Sequence, residues 1–297
     1  MRTQMTKFVG GLLLAGLFTM PGILQAQPSA HYAPGTEGLK AATLPPPGLW
    51  VRDYNEFYYA DQENGPTGSK QATQQAFVYA NVPRLLWITD IQVLGGYLGV
   101  DALVPLKYTH LQGGGQDFGV GDVFFEGTWS SHSQHWDFAL GVGAWAPTGD
   151  FSMTDHTLPG NGYWTEMLTA GATWYPDDAK KWSLSALNRY EFSQKQEDTN
   201  ITPGQAYTVE GGLSYGISPT VDVGAITYYQ QQVTPNSNSV YPDRNRVARV
   251  GPEIAAFFPS VMFGVSLRYA YEFMAEGGFP PGRLQGNTIT LTLTKKL

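Results

Sequence analysis

Charged side chains recur at alternate positions within segments that are otherwise apolar and aromatic. Successive side chains on a β-strand point to opposite faces, so each charge shares a face only with every second residue. An arginine or lysine that faced lipid at mid-bilayer would cost about 2–4 kcal/mol. In a membrane, strands of this kind must therefore turn their charges towards an internal lumen. The ten predicted lumen-lining residues are Asp101, Asp122, Glu126, Arg189, Glu191, Glu210, Arg249, Glu253, Arg268 and Glu272.

Four of these charges are predicted to form two cross-strand pairs. A turn at residues 259–260 would place Arg249 opposite Glu272. The same turn would place Glu253 opposite Arg268. Opposite charges that face each other across two strands stabilise a sheet. Two interpretations stay open: a charge ladder that braces and fills a narrow lumen, or a polar lining along the path of a solute.

The histidines do not complete a catalytic or metal-binding set. His132 and His135 share a predicted turn, but the sequence places no third ligand beside them, and zinc sites need at least three protein ligands. Ser133 lies next to His135 and is the nearest approach to the nucleophile and base of a hydrolase. The glycines form no phosphate-binding loop. We therefore predict no catalytic residue, no metal and no cofactor, and keep a hydrolase as an alternative.

About twelve predicted strands position the charged residues and occupy residues 48–297. The segments are 48–60, 73–87, 92–107, 118–131, 135–148, 162–175, 182–194, 205–217, 220–232, 247–258, 261–274 and 284–297. Short and long connections alternate strictly between them. Short periplasmic turns, long extracellular loops and two periplasmic termini produce this alternation in an even-stranded barrel. The sequence therefore predicts an all-β fold, a transmembrane antiparallel up-and-down barrel of about twelve strands.

Composition and tryptophan placement agree with a membrane barrel. Only 14% of residues are charged, against roughly 25% in soluble domains. After the N-terminus, no stretch of about 18 apolar residues predicts a membrane helix. Indole rings prefer the headgroup level of a bilayer. Six tryptophans are predicted at the turn-side interface: Trp50, Trp87, Trp129, Trp136, Trp174 and Trp182. The other two, Trp145 and Trp164, are predicted at the loop-side interface.

The first 47 residues have a different character. Residues 1–26 show the positive start, apolar centre and small final residue of a secretory signal peptide. Its removal takes two positive charges from a chain of net charge −7, which argues against a nucleic-acid partner. Residues 27–47 include the triplet Pro45-Pro46-Pro47, which favours an extended conformation. We predict an N-terminal segment that either stays in the periplasm or enters the lumen as a plug.

Several motifs resemble one family of outer-membrane transporters. They are His31 to Ala41, Leu44 to Gly48, Arg52 to Asn55, Asn81 to Arg84, Gly119 to Asp122 and Ala146 to Asp150. Together they resemble the family "MetA-pathway of phenol degradation" over essentially the whole mature chain. The resemblance implies an outer-membrane barrel, often encoded with genes of aromatic catabolism, that passes small hydrophobic molecules. It supplies no site residues.

We therefore expect a bacterial outer-membrane channel, not an enzyme, for passive uptake of small hydrophobic or aromatic solutes. Solutes would cross a narrow lumen or leave through a lateral gap, with residues 27–47 as a gate. Other expected partners are outer-membrane lipid and the barrel-assembly machinery. Aromatic loop residues would form an apolar mouth or lie at the bilayer interface: Phe118, Phe151, Tyr163, Tyr241 and Phe279. The alternatives are a structural or adhesion barrel with a filled lumen, and an outer-membrane hydrolase.

Overall fold

The computed structural model describes residues 30–239, 244–277 and 282–297. The predicted signal peptide, residues 1–26, lies outside these ranges. The strands are β1 Gly48–Asn64, β2 Lys70–Ala72, β3 Ala76–Val93, β4 Gly96–Leu103, β5 Leu106–Leu111, β6 Gly115–Val120, β7 Val123–His132, β8 Trp136–Ala146, β9 Thr165–Trp174, β10 Trp182–Ser193, β11 Ala206–Ser218, β12 Val221–Gln232, β13 Arg246–Phe258, β14 Phe263–Glu276 and β15 Arg283–Lys296. A short 3-10 turn, Pro259–Val261, joins β13 to β14. No helix in the described ranges is long and apolar enough to cross a membrane.

The strands form one closed antiparallel barrel with twelve strand positions around its circumference. β1 pairs with β15 on one side and with β3 on the other, which closes the sheet. Two positions are each shared by two strands, because β4 is followed in line by β5, and β6 by β7. The short β2 pairs only with the loop end of β1. The predicted all-β transmembrane barrel of about twelve strands is confirmed.

Strand β8 shows how the sequence specifies the two faces of the wall. Phe138, Leu140 and Val142 are 42%, 50% and 67% exposed, whereas Asp137 and Ala139, which alternate with them, are buried. Apolar side chains thus stand outside and polar or small ones inside, the reverse of a soluble domain. An apolar band of this kind is stable when its surroundings are lipid, because water would not favour so large an exposed apolar surface.

The first hairpin departs from the predicted connections. The expected turn at residues 88–91 is part of β3, and the chain turns at Leu94 and Gly95 instead. Both residues have positive φ, 50° and 77°, as the tight turns that match the twist of a hairpin require. The alternation of apolar residues does not show this turn. The sequence signal for it is the glycine pair at residues 95–96.

The predicted strand 92–107 and the long loop that follows it are also wrong. β3 pairs with β5 up to Asn81 and with β4 from Arg84 onwards. The pairing along β3 is therefore interrupted between Asn81 and Arg84. Pro83 and Pro105 lie at this interruption; proline cannot donate to a ladder and favours such irregular positions. After it, β5 and β6 pair as a hairpin where residues 108–117 were expected to be loop.

Two tryptophans lie on the opposite face from the predicted one. Trp50 and Trp145 are 1% and 7% exposed, so both are packed inside the barrel and their predicted interfacial position is wrong. Trp87, Trp164 and Trp182 do stand exposed on the outer face.

The predicted aromatic mouth does not form as a unit. Phe118 is exposed on the outer face of β6, beside Tyr108. Tyr163 is buried in the lumen, and half-buried Phe151 packs close to Gly162 in the loops. The remaining two, Tyr241 and Phe279, lie outside the described residues.

Residues 30–47 contain neither helix nor strand and run through the barrel from the loop end to the turn end. At the loop end, Nδ1 of His31 lies 2.7 Å from the hydroxyl of Thr165, the first residue of β9. At the turn end, Nζ of Lys296 donates to the carbonyl oxygen of Pro47 over 2.9 Å. We call residues 30–47 the lumen segment.

Candidate functional site in the barrel lumen

All ten predicted lumen-lining residues lie on the inner face of the wall and are 1–7% exposed. They fall into two groups according to what they contact. The wall group bonds only other strands and comprises Asp101, Glu126, Arg249 and Glu272. The segment group contacts the lumen segment and comprises Asp122, Arg189, Glu191, Glu210, Glu253 and Arg268.

The wall group includes a closed charge pair between β13 and β14. Nε and Nη2 of Arg249 donate to Oε1 of Glu272 over 3.0 and 2.7 Å. The hydroxyl of Tyr58 and the backbone N–H of Gly286 donate to Oε2 of the same carboxylate. Arg249 also bonds Thr288. The predicted register, Arg249 opposite Glu272, is confirmed, and every partner belongs to the barrel wall.

The second predicted pair lies four residues away along both strands and is open. Glu253 stands opposite Arg268 as predicted, but their nearest N–O distance is 3.9 Å. Each residue instead bonds the backbone of the lumen segment. The N–H of Leu39 donates to Oε2 of Glu253 over 2.9 Å, and Nη2 of Arg268 donates to the carbonyl oxygen of Thr36 over 2.7 Å.

Gly38 lets the segment approach this open pair. A Cβ atom added at Gly38 would lie 1.8 Å from Oε2 of Glu253 and 2.6 Å from Nη1 of Arg268. Both distances are far below van der Waals contact, so any larger residue would push the segment away from the wall. Next to it, Leu39 packs into a hollow left by two wall glycines, Gly212 and Gly224.

At the loop end, His31 fixes the segment among aromatic rings. Its Nε2 lies 2.8 Å from Oδ2 of Asp122, and its ring stacks on Trp145 with 5.6 Å between centroids. Asp122 also accepts the backbone N–H groups of Gly149 and Asn161, so one carboxylate ties the segment to the 149–161 loop. Burial, opposed by the hydrogen bond and charge of Asp122, lowers the pKa of His31.

Below His31, Tyr32 inserts into a buried charged cluster. Its N–H donates to Glu191 over 3.0 Å, and its hydroxyl bonds Glu210. The guanidinium of Arg189 bonds Glu210 and lies 4.0 Å from the centre of the Tyr32 ring. Gln230 donates to the Tyr32 carbonyl. The polar atoms of this residue are thus satisfied by the wall, as burial requires.

In the middle of the lumen, Glu37 binds two arginines from adjacent strands. Its Oε2 accepts from Arg52 over 2.9 Å, and its Oε1 accepts from Arg84 over 3.1 Å and from the hydroxyl of Tyr54 over 2.7 Å. Two guanidinium groups thus face this single carboxylate. Arg84 also forms a two-bond pair with Asp101. Glu37 is therefore a charged anchor at neutral pH.

At the turn end, the segment is held by smaller contacts. The hydroxyl of Thr43 donates to Asp137 over 2.9 Å and lies 3.1 Å from that of Thr173. Lys40 forms an ion pair with Asp222 at 2.7 Å. Ala42 is fully buried in a cluster with wall side chains. The segment thus bonds the wall along its whole length, and its one covalent link to the wall is the continuation into β1 at Gly48.

Sequence reasoning missed the segment's own anchors and their arginine partners. His31 and Glu37 lie in motifs that carried only the family resemblance, and Arg84 follows Pro83 in another such motif. Arg52 could not be assigned to a face, because charges or amides occupy both faces of β1. Its outward neighbours Asp53 and Asn55 bond Asn81 across the strand pair, which satisfies them on the outside.

The pair considered for hydrolase chemistry does not form. Ser133 exchanges hydrogen bonds with the backbone of Trp136, and Nδ1 of His135 lies 2.8 Å from the carbonyl oxygen of Tyr175. His132 lies 3.1 Å from Asp137. Within the described ranges, no three histidine, aspartate or glutamate side chains are grouped to hold a metal ion.

Comparison with solved structures shows the fold. A COG4313 outer-membrane channel from Pseudomonas putida F1 superposes with a TM-score of 0.77 at 15% identity, covering 90% of this chain and all of that one. The β domain of the Bordetella autotransporter BrkA gives 0.52 at 13% identity, covering 84% and 99%. The translocator domain of NalP from Neisseria meningitidis gives 0.50 at 10%, covering 85% and 90%. All three share the outer-membrane barrel architecture.

Comparison at the level of sequence gives the family. No curated protein matches the chain. A family model described as "Putative MetA-pathway of phenol degradation" matches residues 60–291, which is most of the barrel. The match confirms the resemblance carried by the sequence motifs, and the chain belongs to this family of outer-membrane barrels.

Proposed function

We propose that the protein is a gated outer-membrane channel for passive uptake of small hydrophobic or aromatic solutes, and that the lumen segment is the gate. One observation carries the proposal. The lumen is occupied by residues 30–47, a stretch outside the strands that the wall holds by noncovalent bonds along its length and that is tethered covalently only where it continues into β1. A barrel built only for rigidity could fill a narrow lumen with its own inward side chains.

Several wall residues that hold the segment have other partners when it leaves. Arg189 already bonds Glu210, and Arg84 already bonds Asp101. Glu253 and Arg268 face each other and could close their 3.9 Å separation. Leaving a buried charge unpaired would cost several kcal/mol. Because these charges come in complementary sets, release of the segment avoids that penalty at these positions, as a gate requires.

The aromatic cluster at the loop end supports an apolar solute. His31 packs against Trp145 and Tyr163, and Trp145 packs against Phe124. Flat rings of this kind bind aromatic molecules by stacking and edge-to-face contact. A solute that inserted beside Trp145 would compete with the His31 ring for the same surface. The family description refers to phenol degradation, and the similar Pseudomonas protein is an outer-membrane channel; both agree with an aromatic solute and a channel.

A structural or adhesion role for a filled barrel is the competing function. The Arg249–Glu272 pair favours it, because that part of the lumen is braced by the wall alone. In that case the lumen segment would be a permanent filling, and solute uptake would not depend on it.

Uptake measurements in cells test the proposal. Cells that lack the protein should take up a labelled neutral aromatic compound more slowly than cells that express it. Expression of a chain without residues 30–47 should restore uptake to at least the wild-type rate. Equal uptake with and without the protein would contradict the proposed function, whereas surface binding lost on trimming loop 232–246 would favour adhesion.

A further inference from the structure

A cavity of about 310 Å³ lies between the lumen segment and the wall in the turn-side half of the barrel. It exists because the inward residues of β13, β14 and β15 are small there. Ala255 stands opposite Ser266, and Ser266 stands opposite Thr292. With such short side chains, the wall leaves space that the segment does not fill. The volume is at the lower end of ligand pockets, so it suits a small molecule.

One end of the cavity carries two arginines, each beside a carboxylate of Glu37 or Glu253. Arg52 and Arg268 both line it. Arg52 donates from Nη1 to Glu37, and its side chain is 22% exposed on a strand face whose neighbours Trp50 and Tyr54 are buried inside the barrel. A guanidinium carries five N–H groups in a planar fork. Arg52 therefore keeps donors that can reach a ligand in the cavity.

The carboxylates beside these arginines are already engaged. Glu37 accepts from two arginines and from Tyr54, and Glu253 accepts the N–H of Leu39. Arginine binds a carboxylate through two parallel hydrogen bonds, a geometry that is stronger and more selective than a neutral contact. An added carboxylate would thus find donors at Arg52, with Arg268 as a second arginine in the lining.

The rest of the lining is mainly apolar. Leu39, Leu44 and Pro45 of the segment form one side, and Trp50 and Phe257 of the wall form the other. The rings of Trp50 and Phe257 lie 6.5 Å apart, centroid to centroid. A ligand that fits this cavity has an apolar body and a single anionic end.

We propose that this cavity is a binding site for a small organic monocarboxylate, with its carboxylate on Arg52 and its apolar or aromatic body against Trp50, Phe257 and Leu39. The inference rests on the proposed function only in treating such acids as solutes of the channel. Binding itself is a property of the folded protein and is measured without transport.

Binding of 4-fluorobenzoate to the purified, refolded protein tests the site by ¹⁹F NMR, with 4-fluorobenzamide as the uncharged probe of the same shape. Arg52→Gln removes the guanidinium that would bind the carboxylate, while Arg84 still bonds Glu37. Ala255→Phe fills the cavity and leaves every charge in place. Arg246→Gln is the matched control, since Arg246 bonds Glu276 at the loop end, away from the cavity.

The expected result is a Kd for fluorobenzoate at least about tenfold weaker in Arg52→Gln and Ala255→Phe, with Arg246→Gln unchanged; loss of one charged hydrogen-bonded contact gives an effect of this size. Fluorobenzamide should bind more weakly than fluorobenzoate and should not respond to Arg52→Gln. Equal binding of the two probes, or fluorobenzoate binding that survives both substitutions, would overturn the site. If neutral aromatic uptake still depended on the protein, the channel proposal would stand without it.

Discussion

The two charge pairs between β13 and β14 differ although they share the same strands, the same residue types and a buried position inside the barrel. Arg249 and Glu272 are joined by two hydrogen bonds to one carboxylate oxygen. Arg268 and Glu253 are 3.9 Å apart, because the segment backbone at Gly38 lies against them and takes their hydrogen bonds. The first pair braces the wall, and the second holds the lumen segment. If the segment is the gate that we propose, the same sequence pattern serves stability in one pair and gating in the other.

Deletion of the lumen segment should have the largest effect of the series on gating and no effect on the bracing of the wall by Arg249 and Glu272. A chain without residues 30–47 should still form a heat-modifiable barrel, because no strand is shortened. In a planar bilayer it should show a larger and steadier conductance than the full mature chain, since the lumen has lost its filling. Unaltered conductance would mean that the wall closes the lumen without the segment.

Neutralising one carboxylate in each pair should separate the two roles. Glu272→Gln leaves Arg249 buried without its counter-ion, and we expect a loss of about 3 kcal/mol in the free energy of unfolding from urea titration. Glu253→Gln should cost the barrel less, because Arg268 keeps its bonds to Thr36 and Thr292. Channel opening should rise in Glu253→Gln alone. Equal effects of both variants on unfolding and opening would remove the distinction.

Glu37→Gln should release the segment and weaken the barrel less than Glu272→Gln, because Arg52 is partly exposed. Glu37 is the segment's contact with Arg52 and Arg84, and Arg84 keeps Asp101 when the charge is lost. Loss of a charged hydrogen bond of about 2 kcal/mol corresponds to about a 30-fold rise in the opening equilibrium. Single-channel open probability measures it, and the unfolding free energy of the variant should fall by less than that of Glu272→Gln. A destabilised barrel with normal gating would contradict this assignment.

Acid should favour release, with the smallest effect of the series. The pKa of His31 is lowered in the packed state, so a released His31 gains a proton first as pH falls below about 6.5, and release becomes easier. Glu37 adds nothing in that range. Its carboxylate is paired with both Arg52 and Arg84, and opposite charges nearby keep a carboxyl group ionised. Open probability at about pH 7.5 and 5.5 tests this, and His31→Gln should remove the dependence.

The period-two pattern was enough to predict the wall but not its interruption. The outward Phe138, Leu140 and Val142 alternate with inward residues as the sequence indicates. The break at Pro83 and Pro105 depends on which residues of β3 meet β4 and which meet β5. That pairing depends on how all the strands close into a barrel, and the sequence of one strand does not determine it.

The sequence also predicted the inward charges better than their partners. Glu253 and Arg268 were correctly placed opposite each other. That they would bond Leu39 and Thr36 could not be read from the strands. The segment has no period of its own, so its register in the lumen is set by tertiary contacts such as the close approach at Gly38.

The most direct test of the central claim locks the lumen segment to the wall. The hydroxyl oxygens of Thr43 and Thr173 are 3.1 Å apart, and the chain has no cysteine of its own, so Thr43→Cys with Thr173→Cys should form one disulfide. We would measure influx of a neutral aromatic solute into outer-membrane vesicles under oxidising and reducing conditions. The account predicts influx at background level when oxidised and at wild-type level after reduction. Influx that is the same in both states would contradict gating by the segment and would favour a lateral path through the wall.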